Sequence, residues 1–200
     1  MPSSSPPREA PPLEQAGIVL ARHGETDYNR ERRFQGWSPV ALNELGRRQA
    51  AELAERAAQL SFASLWCSPL LRARETAAVV GGRLGLAPRE DSRLAETETG
   101  DWTGRLFAEV EEEDPVRLRA FLGGDPDFAF PGGESFRDQA DRVMRALADI
   151  ARGPRPALVV CHGVVIRLAL ARTGTVIGDA LAAPVANAAL VPLPSPLLAL

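Results

Sequence analysis

Two short apolar runs constrain this chain more than any other feature. Ile18-Val19-Leu20-Ala21 stops at Arg22-His23-Gly24-Glu25-Thr26, and Ala157-Leu158-Val159-Val160-Cys161 stops at His162-Gly163. Both runs favour β-structure and lack alternation, the pattern of a strand covered on both faces. A mainly parallel sheet of such strands carries its chemistry just past their carboxyl ends. The chain has two histidines, and each directly follows one of these runs. If the strands are parallel neighbours, both imidazoles stand at one sheet edge and can face one ligand.

Strand and helix patterns alternate between and beyond these runs. Asn43 to Leu60 predicts a helix with Leu45, Leu53, Ala57 and Leu60 on its apolar face. Leu65-Trp66-Cys67 reads as a short strand. Ser68 and Pro69 then read as N-cap and first residue of a helix reaching about Leu84. Arg72 and Arg74 fall in its first turns, where unpaired N–H groups and the helix dipole suit an anion. Leu106 to Leu122 predicts a helix kinked at Pro115, and the Gly/Pro/Asp loop from Gly123 to Gly133 could cover a site. Ser135 and Asp138 fit a capping box, and Phe136, Ala140, Val143, Leu147 and Ile150 share one stripe of the helix it opens. A further helix runs from Val164 to about Arg172, and Asn187 to Leu193 reads as an edge strand. This alternation predicts an α/β fold, doubly wound, with a mainly parallel central sheet flanked by helices.

The length of 200 residues fits one domain, taken here as 16–200. The Pro- and Ser-rich stretch 1–15 lacks the apolar core of a signal peptide and is expected to be a disordered tail. A net charge of -3 gives no bias toward nucleic acid or an anionic membrane. No apolar run reaches transmembrane length. A cytoplasmic protein that binds neither nucleic acid nor membrane is therefore expected. Arg30 to Trp37 is short and isolated, and reads as a solvated loop with a few ligand contacts. Cys67 and Cys161 each end an apolar run and read as free buried thiols. Two histidines without an evident third ligand make a poor zinc site, so neither metal nor cofactor is expected. The apolar, proline-broken C-terminus reads as a last strand plus a tail that could pack on its own domain or support a homodimer.

Two imidazoles, several arginines and a glutamate near one sheet edge fit phosphoryl transfer. A neutral histidine is a competent nucleophile at phosphorus. Arginines, which make up all 23 basic residues of the chain, bind phosphate oxygens bidentately and neutralise charge on the transferring group. A carboxylic acid can protonate the leaving alcohol. Two structural histidines would give the same pattern, and the residues alone leave both readings open.

Longer motifs bear on that choice. Arg22-His23-Gly24-Glu25-Thr26 with Asn29 resembles the signature of the histidine phosphatase superfamily, which includes the cofactor-dependent phosphoglycerate mutases and many small phosphatases. The family's other blocks follow in its order. Leu45-Gly46 with Gln49-Ala50 is similar to its first helix start. Ser68 to Ala77 resembles its S-x-L-x-R-A-x-x-T-A block, and Leu94-x-Glu96 with Gly100, Trp102 and Gly104 resembles its glutamate block. Pro131 to Ser135 and Val160-Cys161-His162-Gly163 complete the set.

The resemblance implies a phosphoglycerate mutase-like fold, a phosphate ester substrate and a set of roles. His23 would be the nucleophile, carrying a transient phosphohistidine. Arg22, Arg72 and His162 would complete the phosphate pocket, and Asn29 would contact the phosphate. Glu96 would act as general acid, then base. Thr26, Gln35 and Gly36 would touch phosphate or substrate from the first loop. Glu25, Glu134 and Ser135 read as supports of loops and caps, and Trp102 as packing or pocket wall. As the family pattern goes, mutases place a Lys at the position of Phe107 and an Asn at that of Val164. This chain has no Lys at all. The resemblance therefore implies a phosphomonoesterase, with a mutase as the alternative and a phosphate-binding protein behind it. The acid-phosphatase branch, whose second motif is His-Asp, is disfavoured by His162-Gly163.

Overall fold

The computed structural model describes residues 11–173 and 185–194. In chain order, its strands are β1 (Ile18–Arg22), β2 (Ser64–Cys67), β3 (Pro88–Glu90), β4 (Ala157–Cys161) and β5 (Leu190–Pro192). The helices are α1 (Asp27–Arg30), α2 (Glu44–Ala57), α3 (Leu71–Leu84), α4 (Phe107–Glu113), α5 (Pro115–Gly123), α6 (Phe136–Ala151) and α7 (Gly163–Arg172). One five-stranded sheet runs in the order β3-β2-β4-β1-β5, parallel except for the β5 edge.

The strand alternation sorts the core into two layers. Ile18, Leu20, Val159 and Cys161 face α6 and α7, where they meet Val143, Leu147, Ile150, Val165 and Ile166. Val19, Ala21, Leu158, Val160, Leu65 and Cys67 face α2 and α3, where they meet Leu53, Ala57, Ala73, Ala77 and Val80. Covered on both sides, the central strands have no use for alternating polar residues. Cys67 and Cys161 are free and buried, and burial pushes the Cys67 thiol up to about 11. A third cluster is aromatic and includes Phe34, Trp102, Phe128, Phe130 and Phe136.

Several local expectations are corrected. Ser68 does not cap α3, which starts at Leu71 with no side-chain cap. Its hydroxyl instead accepts from the N–H of Leu70 and contacts His162, so a tight turn precedes the helix. Leu45 is exposed, and the buried position beside it is Gly46, whose backbone packs against the loop after β1. The expected kink at Pro115 is a break between two helices. Asp114 leaves helical geometry and accepts from the N–H of Arg117, capping α5 with Pro115 in its first turn. β3 was not expected: its Pro88-Arg89-Glu90 is exposed throughout and carries no apolar signal. Within the expected N-terminal tail, Leu13–Gln15 forms a 3₁₀ turn and Leu13 packs on the core. Residues 1–10 and the expected tail at 195–200 lie outside the described residues.

Candidate active site

The sheet brings the two histidines together. β1 pairs in parallel with β4, Arg22 opposite Cys161, so His23 and His162 leave the sheet side by side. Their ring centroids are 5.2 Å apart. Ser68 leaves β2 at the same edge, with Cys67 paired to Val160.

A hydrogen bond assigns the proton on His23. His23 Nδ1 lies 2.7 Å from the Gly24 carbonyl, which can only accept. Nδ1 therefore carries the proton and Nε2 keeps its lone pair. His162 Nε2 lies 2.7 Å from the Ser68 hydroxyl, which also accepts from the Leu70 N–H and can either donate to the ring or accept from it. His162 Nδ1 is buried with no partner. Burial first, then the guanidinium of Arg72, holds both imidazoles well below their ordinary value. Both are neutral at pH 7.

Arg22 ends β1, and Arg72 lies in the first turn of α3. Arg72 is almost wholly buried and donates to the carbonyls of Gly36 and Ser38 at 3.0 and 3.3 Å. Burial, with Arg22 nearby, lowers it to about 10, so it stays a cation at neutral pH. The Nε atoms of both arginines are buried without partners. One buried and one partly buried cation, each with an unspent buried Nε donor, make an anion pocket.

Residues of that pocket include Arg22, His23, Asn29, Gln35, Gly36, Arg72 and Glu96. The Asn29 side-chain oxygen accepts from the Thr26 N–H at 3.2 Å and the Asn187 amide at 3.3 Å, which leaves its NH₂ to donate. The Gln35 side-chain oxygen likewise meets the Thr26 hydroxyl. Thr26 is thus the cap of α1 and the clip of the loop; it is fully buried and not on the pocket wall. His162 also stands off the wall, against His23. Gly36 takes a positive φ of 49°, and a Cβ there would meet the Thr99 hydroxyl at 2.4 Å.

The Glu96 carboxylate is held by three N–H donors. Oε1 accepts from Thr97 N–H at 3.0 Å and Gln139 Nε2 at 3.2 Å, and Oε2 accepts from Val164 N–H at 3.2 Å. Thr97 in turn donates to the Gln139 side-chain oxygen. Below this loop, Arg142 pairs bidentately with Glu134 and donates to the carbonyls of Arg93, Ala95 and Glu96. Trp37, half exposed, donates its indole N–H to the Glu96 carbonyl at 2.7 Å. Glu25 and Ser135 are found as the expected supports: Glu25 accepts from Asn43, and Ser135 caps α6. Trp102 is packing, buried in the aromatic cluster.

Sequence reading missed several members. Arg167, Phe121 and Val185 line the pocket, and Gln139, Arg142 and Asn187 hold its walls, whereas Arg33 and Phe130, also on the wall, lie in the two loops expected to meet a ligand or cover the site. A usable signal existed for Gln139, a polar residue on the apolar stripe of α6, buried completely. Among the described residues, no three His, Cys, Asp or Glu side chains are grouped to hold a metal. No helix there is long and apolar enough to cross a membrane.

Residues 18–193 match the model of the histidine phosphatase superfamily, branch 1. A Salmonella choleraesuis protein named "probable phosphoglycerate mutase GpmB" is 38% identical over 152 residues, covering 74% of this chain and 70% of that one. A solved mycobacterial glucosyl-3-phosphoglycerate phosphatase is 35% identical, with a TM-score of 0.78 over 86% of this chain and 90% of that one. The alpha-ribazole phosphatase of Shigella flexneri is 30% identical, with a TM-score of 0.74 over 86% and 87%.

Proposed function

The chain belongs to the histidine phosphatase superfamily, and we propose that within it this enzyme is a phosphomonoesterase working through a phosphohistidine on His23. The observation that carries the reading is the state of His23: neutral, its Nδ1 proton committed to Gly24, its Nε2 lone pair kept, with Arg22 and Arg72 beside it.

The Nε2 lone pair attacks phosphorus as the bond to the ester oxygen breaks. Arg22, Arg72 and the Asn29 amide hold the non-bridging oxygens, with His162 beside His23 completing the pocket. Glu96, entering as the acid, gives its proton to the departing alkoxide. As a carboxylate it then takes a proton from water, whose oxygen attacks phosphorus. The P–N bond breaks, inorganic phosphate leaves, and Nε2 recovers its lone pair. Every charge in this scheme is met by a side chain of the chain itself, and no step passes through a metal.

The GpmB relatives favour a mutase as the second reading. A mutase must keep water from the phosphoenzyme and hold a phosphoglycerate carboxylate. Phe107 and Val164, on the pocket wall, offer that carboxylate no charge. The test is phosphate release from nitrophenyl phosphate, sugar phosphates, nucleotides and 3-phosphoglycerate, with chelator present. Release that is lost in His23→Ala supports the reading. Isomerisation of 3-phosphoglycerate without release would give the mutase, and release that survives His23→Ala would remove the covalent mechanism. Glu96→Gln should slow esters with poor leaving groups more than nitrophenyl phosphate; equal losses would take Glu96 out of the acid role.

A further inference from the structure

Part of the pocket wall is apolar and mostly aromatic: Phe34, Phe107, Phe121, Phe130, Val164 and Val185; its uncharged polar members are Asn29, Gln35, Thr97 and Thr99. Phe34 and Phe107 stack face to face, centroids 4.0 Å apart and planes 6° from parallel. Phe121 meets Phe34 at 5.5 Å and Phe130 at 5.4 Å. Each ring is fixed by its neighbours, so the wall is preformed. Phe34 and Phe130 are buried in it, whereas Phe107 and Phe121 keep part of their surface exposed. The whole pocket encloses about 220 Å³, room for a phosphoryl group and a compact leaving group.

The charged wall is already engaged. Arg22 and Arg72 belong to the phosphate. Arg33 donates to Glu31 and to the Gly104 carbonyl. Arg167 donates to the Gly163 carbonyl and lies in the field of Glu96. Of the uncharged polar members, Thr97 donates to Gln139, Thr99 pairs with Thr103 and Gln35 meets Thr26, so most of the surface left for the alcohol side of the ester is apolar. A polyol or carboxylate set against it would lose water without gaining partners, whereas an apolar ring would gain contacts of the kind Phe34 and Phe107 make with each other.

We infer that this site takes phosphate monoesters whose leaving group is apolar and ring-bearing, and that Phe107 selects it. The inference rests on the phosphatase reading of the same pocket. The test compares 2-phenylethyl phosphate with glycerol 3-phosphate and 3-phosphoglycerate. All three are esters of primary alcohols, so differences in leaving-group reactivity are small.

The expected kcat/KM for the phenylethyl ester exceeds that for either polar ester by about tenfold or more, the scale of one well-packed aromatic contact. Phe107→Ala lowers that ratio by about fivefold, and Phe107→Leu, which keeps the apolar volume, lowers it less. Where the Ala variant fails to fold, the ratio in the Leu variant and in the wild type decides. A wild-type ratio near one, a preference for 3-phosphoglycerate, or a ratio that neither substitution moves overturns the inference while leaving the phosphatase reading standing. No release from any ester, or release that survives His23→Ala, overturns both.

Discussion

Two neutral histidines buried beside two arginines make this fold sensitive to mild acid. His23 and His162 have an ordinary value of 6.5, and burial with the nearby Arg72 depresses both in the folded chain. Unfolded, they take up protons as the pH falls through 6.5; folded, they resist. The unfolded state then binds more protons, so stability is present above 6.5 and is lost below it. Each histidine held neutral costs about 1.4 kcal/mol per pH unit in that range, so the pair costs about 2.7 kcal/mol per unit until the folded values are reached. The assay is urea unfolding at intervals between pH 7.5 and 5.5, in buffers without phosphate or sulfate. His162→Gln should remove about half of the slope. Stability that is level across the window, or a slope unchanged by His162→Gln, would refute the assignment of both rings as neutral.

Other predictions bear on the scaffold. A Cβ on Gly46 would meet the Glu25 carbonyl at 2.0 Å, and Gly24 is as close to Gly46 from the other side. Gly46→Ala should therefore cost about 2 kcal/mol or more in urea unfolding and reduce phosphate release, because the displaced segment follows His23. Gly82→Ala, with open space around it on α3, should gain about 0.5–1 kcal/mol. Arg142→Met leaves Glu134 without its ion pair and takes the Arg142 donor from the carbonyls of Arg93 and Ala95. With both side chains 14% exposed, a loss of about 3 kcal/mol is expected, the low end for a broken buried pair; a loss under about 1 kcal/mol would contradict it. Trp37→Phe removes the N–H held by the Glu96 carbonyl, and kcat for alkyl esters should fall roughly fivefold, the scale of one hydrogen bond.

The catalytic edge was legible because its signal is local. Unbroken apolar runs ending at His-Gly read as strands buried on both faces, and in a mainly parallel sheet such strands bring the two histidines to one edge, as β1 and β4 do. What escaped reading depends on partners distant in sequence. Ser68 looks like an N-cap, but its hydroxyl serves His162, ninety-four residues away. Arg142 is one charge among many on α6 until the glutamate loop folds over it. β3 has no inward face of its own and exists because β2 offers an edge. The Asp114-Pro115 break, by contrast, was readable: an Asp before Pro is an N-cap signal as much as a kink.

Direct trapping of the covalent intermediate tests the central claim most closely. Wild-type enzyme mixed with radiolabelled phosphate ester and quenched in alkali within one turnover should carry label that is stable to base and released by acid, on the peptide that contains His23. His23→Ala should carry none. Label on another residue, or steady turnover with no labelled protein at any quench time, would contradict the phosphohistidine mechanism.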